Sequence, residues 1–289
     1  MEIKQTSADS YHKIGTSHHL CEDYSAFLSG NKHFAIIADG CSSADCSDVG
    51  ASILSHSLKN ILNNSEIESA EVALFLAVNN AHLTAKMLSL PTESLFATLG
   101  FVQTAKDGFQ AVLSGDGLIF ALGPEEVEFI KIEYISDIPK FSNAPFYPFY
   151  HLNKDILDSY LECYSKDLKC VIHHYTGNHQ RFANYAYSHN ENDRCIVRKL
   201  NIQSISGVFQ YNFPYDKYHC VGVMSDGVDS FYDVQHKPVT FQEVAHEMTS
   251  FKNYQGQFVR RRCQKAFKKM SKLGWEHSDD FSIGAISCH

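Results

Sequence analysis

The sequence has no long apolar run and no excess of basic residues. None of its apolar stretches approaches the length of about 18 residues that a membrane-spanning helix needs, and the opening from Met1 to Thr6 is unlike a signal peptide. Lys and Arg number 25 against 33 Asp and Glu, and the net charge of −8 argues against general binding to nucleic acid or to an anionic membrane. We therefore expect a soluble, cytoplasmic protein without nucleic-acid or membrane partners.

The sequence also lacks the Cys-x-x-Cys pair that is typical of zinc and redox sites, although it contains nine cysteines. These cysteines are scattered, and the closest two, Cys41 and Cys46, are five residues apart. Reduced thiols of a cytosolic protein explain an odd and scattered set better than disulfides do. There is no internal repeat and no low-complexity tract, and 44% of the residues are hydrophobic, which is enough for a substantial core.

Apolar residues follow a strand pattern in some stretches and a helical pattern in others. Within residues 49–62 they recur three and four positions apart, which predicts one face of a helix. The predicted strands span residues 24–28, 34–38, 95–103, 109–114, 118–122, 220–225 and 281–287. The predicted helices span approximately residues 47–62, 68–88, 241–250 and 255–273. Elements in this order predict a layered α+β fold.

Two stretches do not follow this simple pattern. Residues 123–219 show no clear periodicity and include an aromatic-rich part interrupted by prolines, so we expect an irregular insertion or lid. The helix at residues 255–273 carries Arg and Lys on all but one side. A solvated outer face of an amphipathic helix explains this better than a basic docking surface.

Acidic residues recur at the ends of the predicted strands, several of them beside glycine. They are Glu22, Asp23, Asp39, Asp116, Asp226, Asp279 and Asp280. A lone Asp-Gly pair usually marks a turn, but so many carboxylates at strand ends indicate one shared site. Such a site needs nearly the whole chain around it, so we expect a single domain over residues 1–289. Carboxylates on rigid edges suit Mg²⁺ or Mn²⁺, and a pair of these ions suits phosphoester hydrolysis.

The acidic residues lie in motifs that resemble, in order, those of the metal-dependent protein phosphatases of the protein phosphatase 2C type. The motifs are Glu22-Asp23, Ala38-Asp39-Gly40, Ala97-Thr98-Leu99-Gly100, Ser114-Gly115-Asp116, Ser225-Asp226-Gly227 and Asp279-Asp280-Phe281-Ser282. The stretches Gly15-Thr16-Ser17-His18 and Asp39-Gly40-Cys41-Ser42-Ser43-Ala44 are most similar to the compact bacterial branch. The resemblance covers about residues 12–287. It implies a β-sandwich of two antiparallel sheets flanked by helices, with metals in a cleft at one end.

The resemblance also implies a role for each acidic residue. Asp39 would bridge two ions. Glu22 and the Gly40 carbonyl would hold one of these ions, and Asp226 and Asp279 the other. The remaining three are Asp116, which would bind a weaker third ion together with Asp226, and Asp23 and Asp280, which would support the site without binding metal.

Two positions depart from the pattern of the larger branch of the family. His18 stands where that branch has an arginine that grips the substrate phosphate, and Cys41 stands where it often has a histidine. Imidazole can donate to phosphate and is charged below about pH 6.5, so His18 is the best candidate for a phosphate contact. The alternatives are that His18 is a surface loop residue and that Cys41 is a small packed residue.

The leading hypothesis is a Mg²⁺- or Mn²⁺-dependent phosphoprotein Ser/Thr phosphatase, whose partner is a phosphorylated protein substrate. One alternative is a catalytically weak or inactive phosphatase-like module that acts by binding. Another is a phosphatase for a small phosphorylated metabolite. The presence of Glu22, Asp39, Asp226 and Asp279 together favours an active enzyme.

Overall fold

The computed structural model describes residues 5–64, 69–136, 144–164, 168–177, 194–202 and 206–289. Its strands are β1 (Thr6–Lys13), β2 (Asp23–Ser29), β3 (His33–Gly40), β4 (Ala97–Ala105), β5 (Gly108–Ser114), β6 (Gly117–Leu122), β7 (Val127–Ser136), β8 (Leu168–Gly177), β9 (Arg194–Asn201), β10 (Val208–Pro214), β11 (Cys220–Met224), β12 (Phe231–Tyr232), β13 (Glu276–His277) and β14 (Phe281–Cys288). Its helices are α1 (Ser47–Asn64), α2 (Ala70–Met87), α3 (Lys154–Tyr164), α4 (Phe241–Thr249) and α5 (Phe258–Lys272).

The strands form two large antiparallel sheets and one short pair. The larger sheet has the order β1-β14-β11-β6-β7-β8-β9, the smaller has the order β10-β5-β4-β3-β2, and β12 pairs with β13. Sequence neighbours β5 and β6 lie in different sheets, so the turn between them crosses from one sheet to the other. That crossing occurs at the end of the sandwich where Asp116 lies.

The two sheets pack face to face, and helices cover both outer faces. Strand β3 shows how the sequence encodes this arrangement, because its alternate residues enter two different cores. Ala35 and Ile37 face the core between the sheets, whereas Phe34 and Ile36 face the core under α1 and α2. A third apolar cluster fills the space between the larger sheet and helices α4 and α5. The predicted α-β-β-α sandwich is therefore confirmed.

Helix ends follow local sequence signals. Ser69 precedes α2, and its hydroxyl accepts the Val72 N–H at 3.4 Å. Thr240 precedes α4 and forms a reciprocal capping box with Glu243.

The basic face of α5 is mostly exposed. Arg262 and Lys269 both pair with Glu247 of α4, while the other basic side chains of α5 are exposed, as a solvated face predicts. Among the described helices, none is long and apolar enough to cross a membrane.

Strand β1 was not predicted, because polar residues interrupt its apolar pattern. Ser7, Asp9 and Ser10 are all buried within it. Asp9 nonetheless has a long-range partner, since its Oδ2 accepts the Arg260 N–H at 2.9 Å in the first turn of α5. The strand pairs with β14 along its whole length, from Thr6 opposite Cys288 to Lys13 opposite Phe281.

The prediction of an irregular segment over residues 123–219 is corrected by the structure. Strands β7, β8 and β9 extend the larger sheet, β10 forms an edge of the smaller one, and α3 lies between β7 and β8. The charged side chains of β7 alternate with buried apolar ones, as in a strand with one exposed face, and they are paired across the sheet surface. Glu133, for example, pairs with Lys131 and His173. Residues 137–143, 165–167, 178–193 and 203–205 of this segment lie outside the described residues.

Candidate metal centre

Strand pairing alone brings the first two carboxylates together. Asp39 lies at the end of β3, directly opposite Asp23 on one neighbouring strand and Thr98 on the other. Asp23 is almost fully buried, and Asp39 is half-buried at the same edge of the sheet. The register of β2 and β3 thus places two acidic side chains of the same charge side by side.

The turn between β5 and β6 adds Asp116 to this edge. Gly115 and Gly117 flank it with φ values of 105° and 126°, a backbone conformation that favours glycine. A Cβ atom on Gly115 would lie 2.3 Å from Thr98 Oγ1, so glycine also permits the close approach of β4. The Thr98 hydroxyl donates to Asp116 Oδ1 at 2.8 Å and fixes this carboxylate beside the end of β3.

Asp226 enters from the other sheet. It opens the short 3₁₀ turn Asp226–Asp229 that follows β11, and its carboxyl group lies beside that of Asp39, where its charge raises the pKa of Asp39. The preceding Ser225 hydroxyl donates to Asp23 Oδ2 at 2.7 Å and accepts the Ser282 N–H at 2.9 Å. The two sheets are therefore tied together through the carboxylates themselves.

A second group of acids surrounds Asp280, which is only 3% exposed. Its Oδ1 accepts the Gly15 N–H at 2.7 Å and its Oδ2 accepts the Glu22 N–H at 2.5 Å. The side chain of Glu22 is held in turn by the Ser47 hydroxyl, which donates to Oε1 at 2.6 Å. The Gly40 N–H donates to the Glu22 carbonyl at 3.1 Å and joins this group to the end of β3.

His18 lies inside this second group and not on a free loop surface. Its Nδ1 is 3.3 Å from Glu22 Oε2 and 3.4 Å from Asp280 Oδ2, and its Nε2 is 3.2 Å from Asp279 Oδ1. His18 is therefore a loop residue whose side chain is mostly buried among carboxylates. Cys41, in contrast, packs at the margin of the core between the sheets, with its N–H donating to the Phe96 carbonyl at 2.8 Å.

The electrostatics of the site are dominated by repulsion among the acids. Burial is the largest cause that raises the pKa of Asp39, and the neighbouring carboxylates of Asp23, Asp226 and Asp116 raise it further. Burial likewise raises the pKa of Asp23, Asp116 and Asp226. A divalent cation would remove this penalty, and the oxygen-rich donor set fits Mg²⁺ or Mn²⁺. The residues present therefore fit the metal that the sequence predicts.

The sequence analysis did not identify one basic residue that lies beside these acids. Lys131 on β7 pairs with Asp229 at 3.0 Å, and its charge lowers the pKa of nearby Asp226. Lys131 was not assigned to a strand near the site because it stands in the stretch that was predicted to be irregular. Ser47, which holds Glu22, could have been recognised only as the first residue of a helix.

All of the predicted site residues thus lie at one end of the sandwich. Asp23, Asp39, Asp116 and Asp226 form one group, and His18, Glu22, Asp279 and Asp280 form the other. The two groups are contiguous, because the charge of Asp279 raises the pKa of Asp226 and Gly40 contacts Glu22.

Comparisons with known proteins agree with this fold. Residues 14–132 match the family model described as Protein phosphatase 2C, and no curated protein matches the sequence. A bacterial serine phosphatase superposes with a TM-score of 0.52 at 12% identity, covering 98% of this chain and 97% of its own. PppA, a key regulatory component of the T6SS in Pseudomonas aeruginosa, gives a TM-score of 0.51 at 12% identity, covering 99% of each chain. The chain is thus similar to protein phosphatase 2C in sequence over residues 14–132, and it shares the fold of these bacterial proteins over nearly its whole length.

Proposed function

We propose that this chain is a Mg²⁺- or Mn²⁺-dependent phosphatase that hydrolyses phosphoserine and phosphothreonine in proteins. The observation that carries the proposal is the cluster of carboxyl groups at one end of the sandwich, where Asp23 lies directly opposite Asp39 and where Asp116 and Asp226 lie beside them. Such a cluster of mutually repelling acids is costly in the folded protein unless a cation binds it. The fold likeness to bacterial serine phosphatases supports the same reaction class.

The proposed assignment gives each acid one task. Asp39 would hold two ions, Glu22 and the Gly40 carbonyl would hold one of them, and Asp226 and Asp279 would hold the other. Asp116 would help to hold a weaker third ion. When bound, these ions would supply Lewis-acid activation of water and neutralise charge on the phosphoryl group. The protein's own contribution is to hold the acids in place before any ion binds.

That positioning comes from neutral and buried groups. Thr98 orients Asp116, Ser225 orients Asp23, and Ser47 orients Glu22, each through a hydroxyl donor. Asp280 stays in a supporting role, since its two oxygens already accept backbone N–H groups of Gly15 and Glu22. None of these contacts uses a cation, so the negative charge of the site remains available to metal.

The test is release of phosphate from a panel of phosphoserine and phosphothreonine peptides with and without Mn²⁺. We expect activity only with the metal, and we expect Asp39→Asn to abolish it while leaving the folded state intact. Asp107→Asn, at an exposed carboxylate of a β-turn, is the matched control and should behave as the wild-type protein.

Other outcomes of the same panel would replace the proposal. Metal binding without hydrolysis of any phosphomonoester, an aryl phosphate included, would indicate a binding module. Turnover restricted to small phosphorylated metabolites would indicate a metabolite phosphatase. Wild-type turnover by Asp39→Asn at saturating Mn²⁺ would show that the metal assignment is wrong.

A further inference from the structure

The loop that carries His18 is fixed against the segment that carries Asp279 and Asp280. The Thr16 N–H donates to the His277 carbonyl at 3.0 Å, and the Ser17 N–H and hydroxyl donate to the Ser278 carbonyl at 3.1 and 2.5 Å. A Cβ atom on Gly15 would lie 2.3 Å from the backbone carbon of Asp279, so the two segments are in direct contact. The position of His18 is thus set before any ligand binds.

The imidazole ring of His18 is enclosed by carboxylate oxygens. Glu22 and Asp280 face Nδ1 at 3.3 and 3.4 Å, and Asp279 faces Nε2 at 3.2 Å. The side chain is 17% exposed. One atom each from His18, Glu22 and Asp280 lies within 4.8 Å of the others, a spacing that could hold a single ion.

These distances match the edges of a metal coordination shell. Adjacent ligands of an octahedral ion with bonds of about 2.1 Å lie about 3.0 Å apart. Each ring nitrogen of His18 is within a few tenths of an ångström of that spacing from a carboxylate oxygen. Histidine ligands also commonly donate the N–H of the second nitrogen to a carboxylate, and His18 has carboxylates on both sides.

We propose that His18 is itself a metal ligand, and that it makes this site favour first-row transition ions such as Mn²⁺ and Co²⁺ over Mg²⁺. Imidazole nitrogen binds transition ions well and is a poor ligand for Mg²⁺, which prefers oxygen. The proposal rests on the metal dependence of the proposed function, but not on phosphatase activity. It replaces the phosphate contact predicted for His18, because a phosphate oxygen would have to displace a carboxylate from one of the ring nitrogens.

The direct test is pulsed electron paramagnetic resonance of Mn²⁺ bound to the full-length protein. Spin-echo modulation reports a nitrogen ligand directly, whether or not the protein is an active enzyme. We expect nitrogen coupling in the wild-type protein and in His19→Gln, the matched variant at the exposed neighbour, and we expect its loss in His18→Gln.

Calorimetric titrations provide the second measurement. We expect His18→Gln to weaken Co²⁺ binding by at least about tenfold and Mg²⁺ binding by less than about threefold. His18→Arg separates the two roles, because guanidinium can grip phosphate but cannot ligate a metal. A ligand role predicts weakened Co²⁺ binding in His18→Arg, whereas a phosphate role predicts unchanged Co²⁺ binding and a preserved KM.

Wild-type Mn²⁺ protein without nitrogen coupling would overturn the proposal, as would equal losses of Co²⁺ and Mg²⁺ affinity in His18→Gln. Failure of the proposed function gives a different result. In that case the nitrogen coupling is present and disappears with His18→Gln, but no phosphomonoester is hydrolysed.

Discussion

Replacing one of the proposed metal ligands should stabilise the metal-free protein. Asp226 contacts Asp39, and its charge raises the pKa of Asp39, Asp23 and Asp116. Asp226→Asn removes that charge, while the new amide can still donate a hydrogen bond to Asp39. We therefore expect the free energy of unfolding in the presence of chelator to increase.

The size of the effect follows from the pH dependence of the acids. Each has a pKa near 3.8 when exposed and a higher pKa in the folded protein. Above pH 3.8 the folded state keeps protons that the unfolded state has lost. The free energy of unfolding therefore falls as the pH rises, until the pH exceeds the pKa of the carboxyl group in the folded state. Each carboxyl group that is still protonated lowers the free energy of unfolding by about 1.4 kcal/mol per pH unit.

Between pH 5 and pH 7, one such group corresponds to a loss of about 3 kcal/mol in the metal-free wild-type protein. We expect Asp226→Asn to recover about 1 to 3 kcal/mol of this at pH 7, and to reduce the slope against pH. Urea unfolding at pH 5, 6 and 7 with chelator measures both quantities, with Asp107→Asn as the control. A wild-type stability that does not change with pH, or a metal-free variant less stable than wild type at pH 7, would refute this reasoning.

Two further substitutions test how the site is held. Thr98→Val keeps the shape of the side chain but removes the donor to Asp116. We therefore expect the free energy of unfolding in urea to fall by about 1 to 2 kcal/mol and the pKa of Asp116 to rise further. Thr98→Ser keeps the hydroxyl donor and should show neither change. Gly227→Ala would place a Cβ atom 1.7 Å from the Asp280 carbonyl oxygen, so we expect a clearly lower melting temperature, whereas Gly30→Ala, where nothing lies within 4 Å, should melt as wild type. An unchanged melting temperature for Gly227→Ala would show that the contact with Asp280 is not tight.

Hydrophobic periodicity in the sequence was sufficient to predict most of the elements near the site. The apolar run before Asp39 is continuous because β3 is covered on both faces, and the helix pattern after Ser47 reflects burial of one side against β3. Asp39 stands at the end of β3 and Asp226 shortly after β11, and the glycine after each of them marks the end of the apolar run in the sequence. These signals are local, so they can be read from a single sequence.

The partners of each side chain were decided only by the tertiary structure. Residues 262 positions apart meet where His18 contacts Asp280, and Lys131 pairs with Asp229, which is 98 positions further along the chain. Strand β1 escaped prediction for the same reason, because the partner of its buried Asp9 is a backbone N–H in the distant first turn of α5. The local spacing of apolar residues indicates which face of a helix or strand is buried. The contacts of a polar residue depend instead on how distant segments pack. The sequence alone therefore determined that acids stand at strand ends, and the packing of the two sheets and the His18 loop determined which of them share a site.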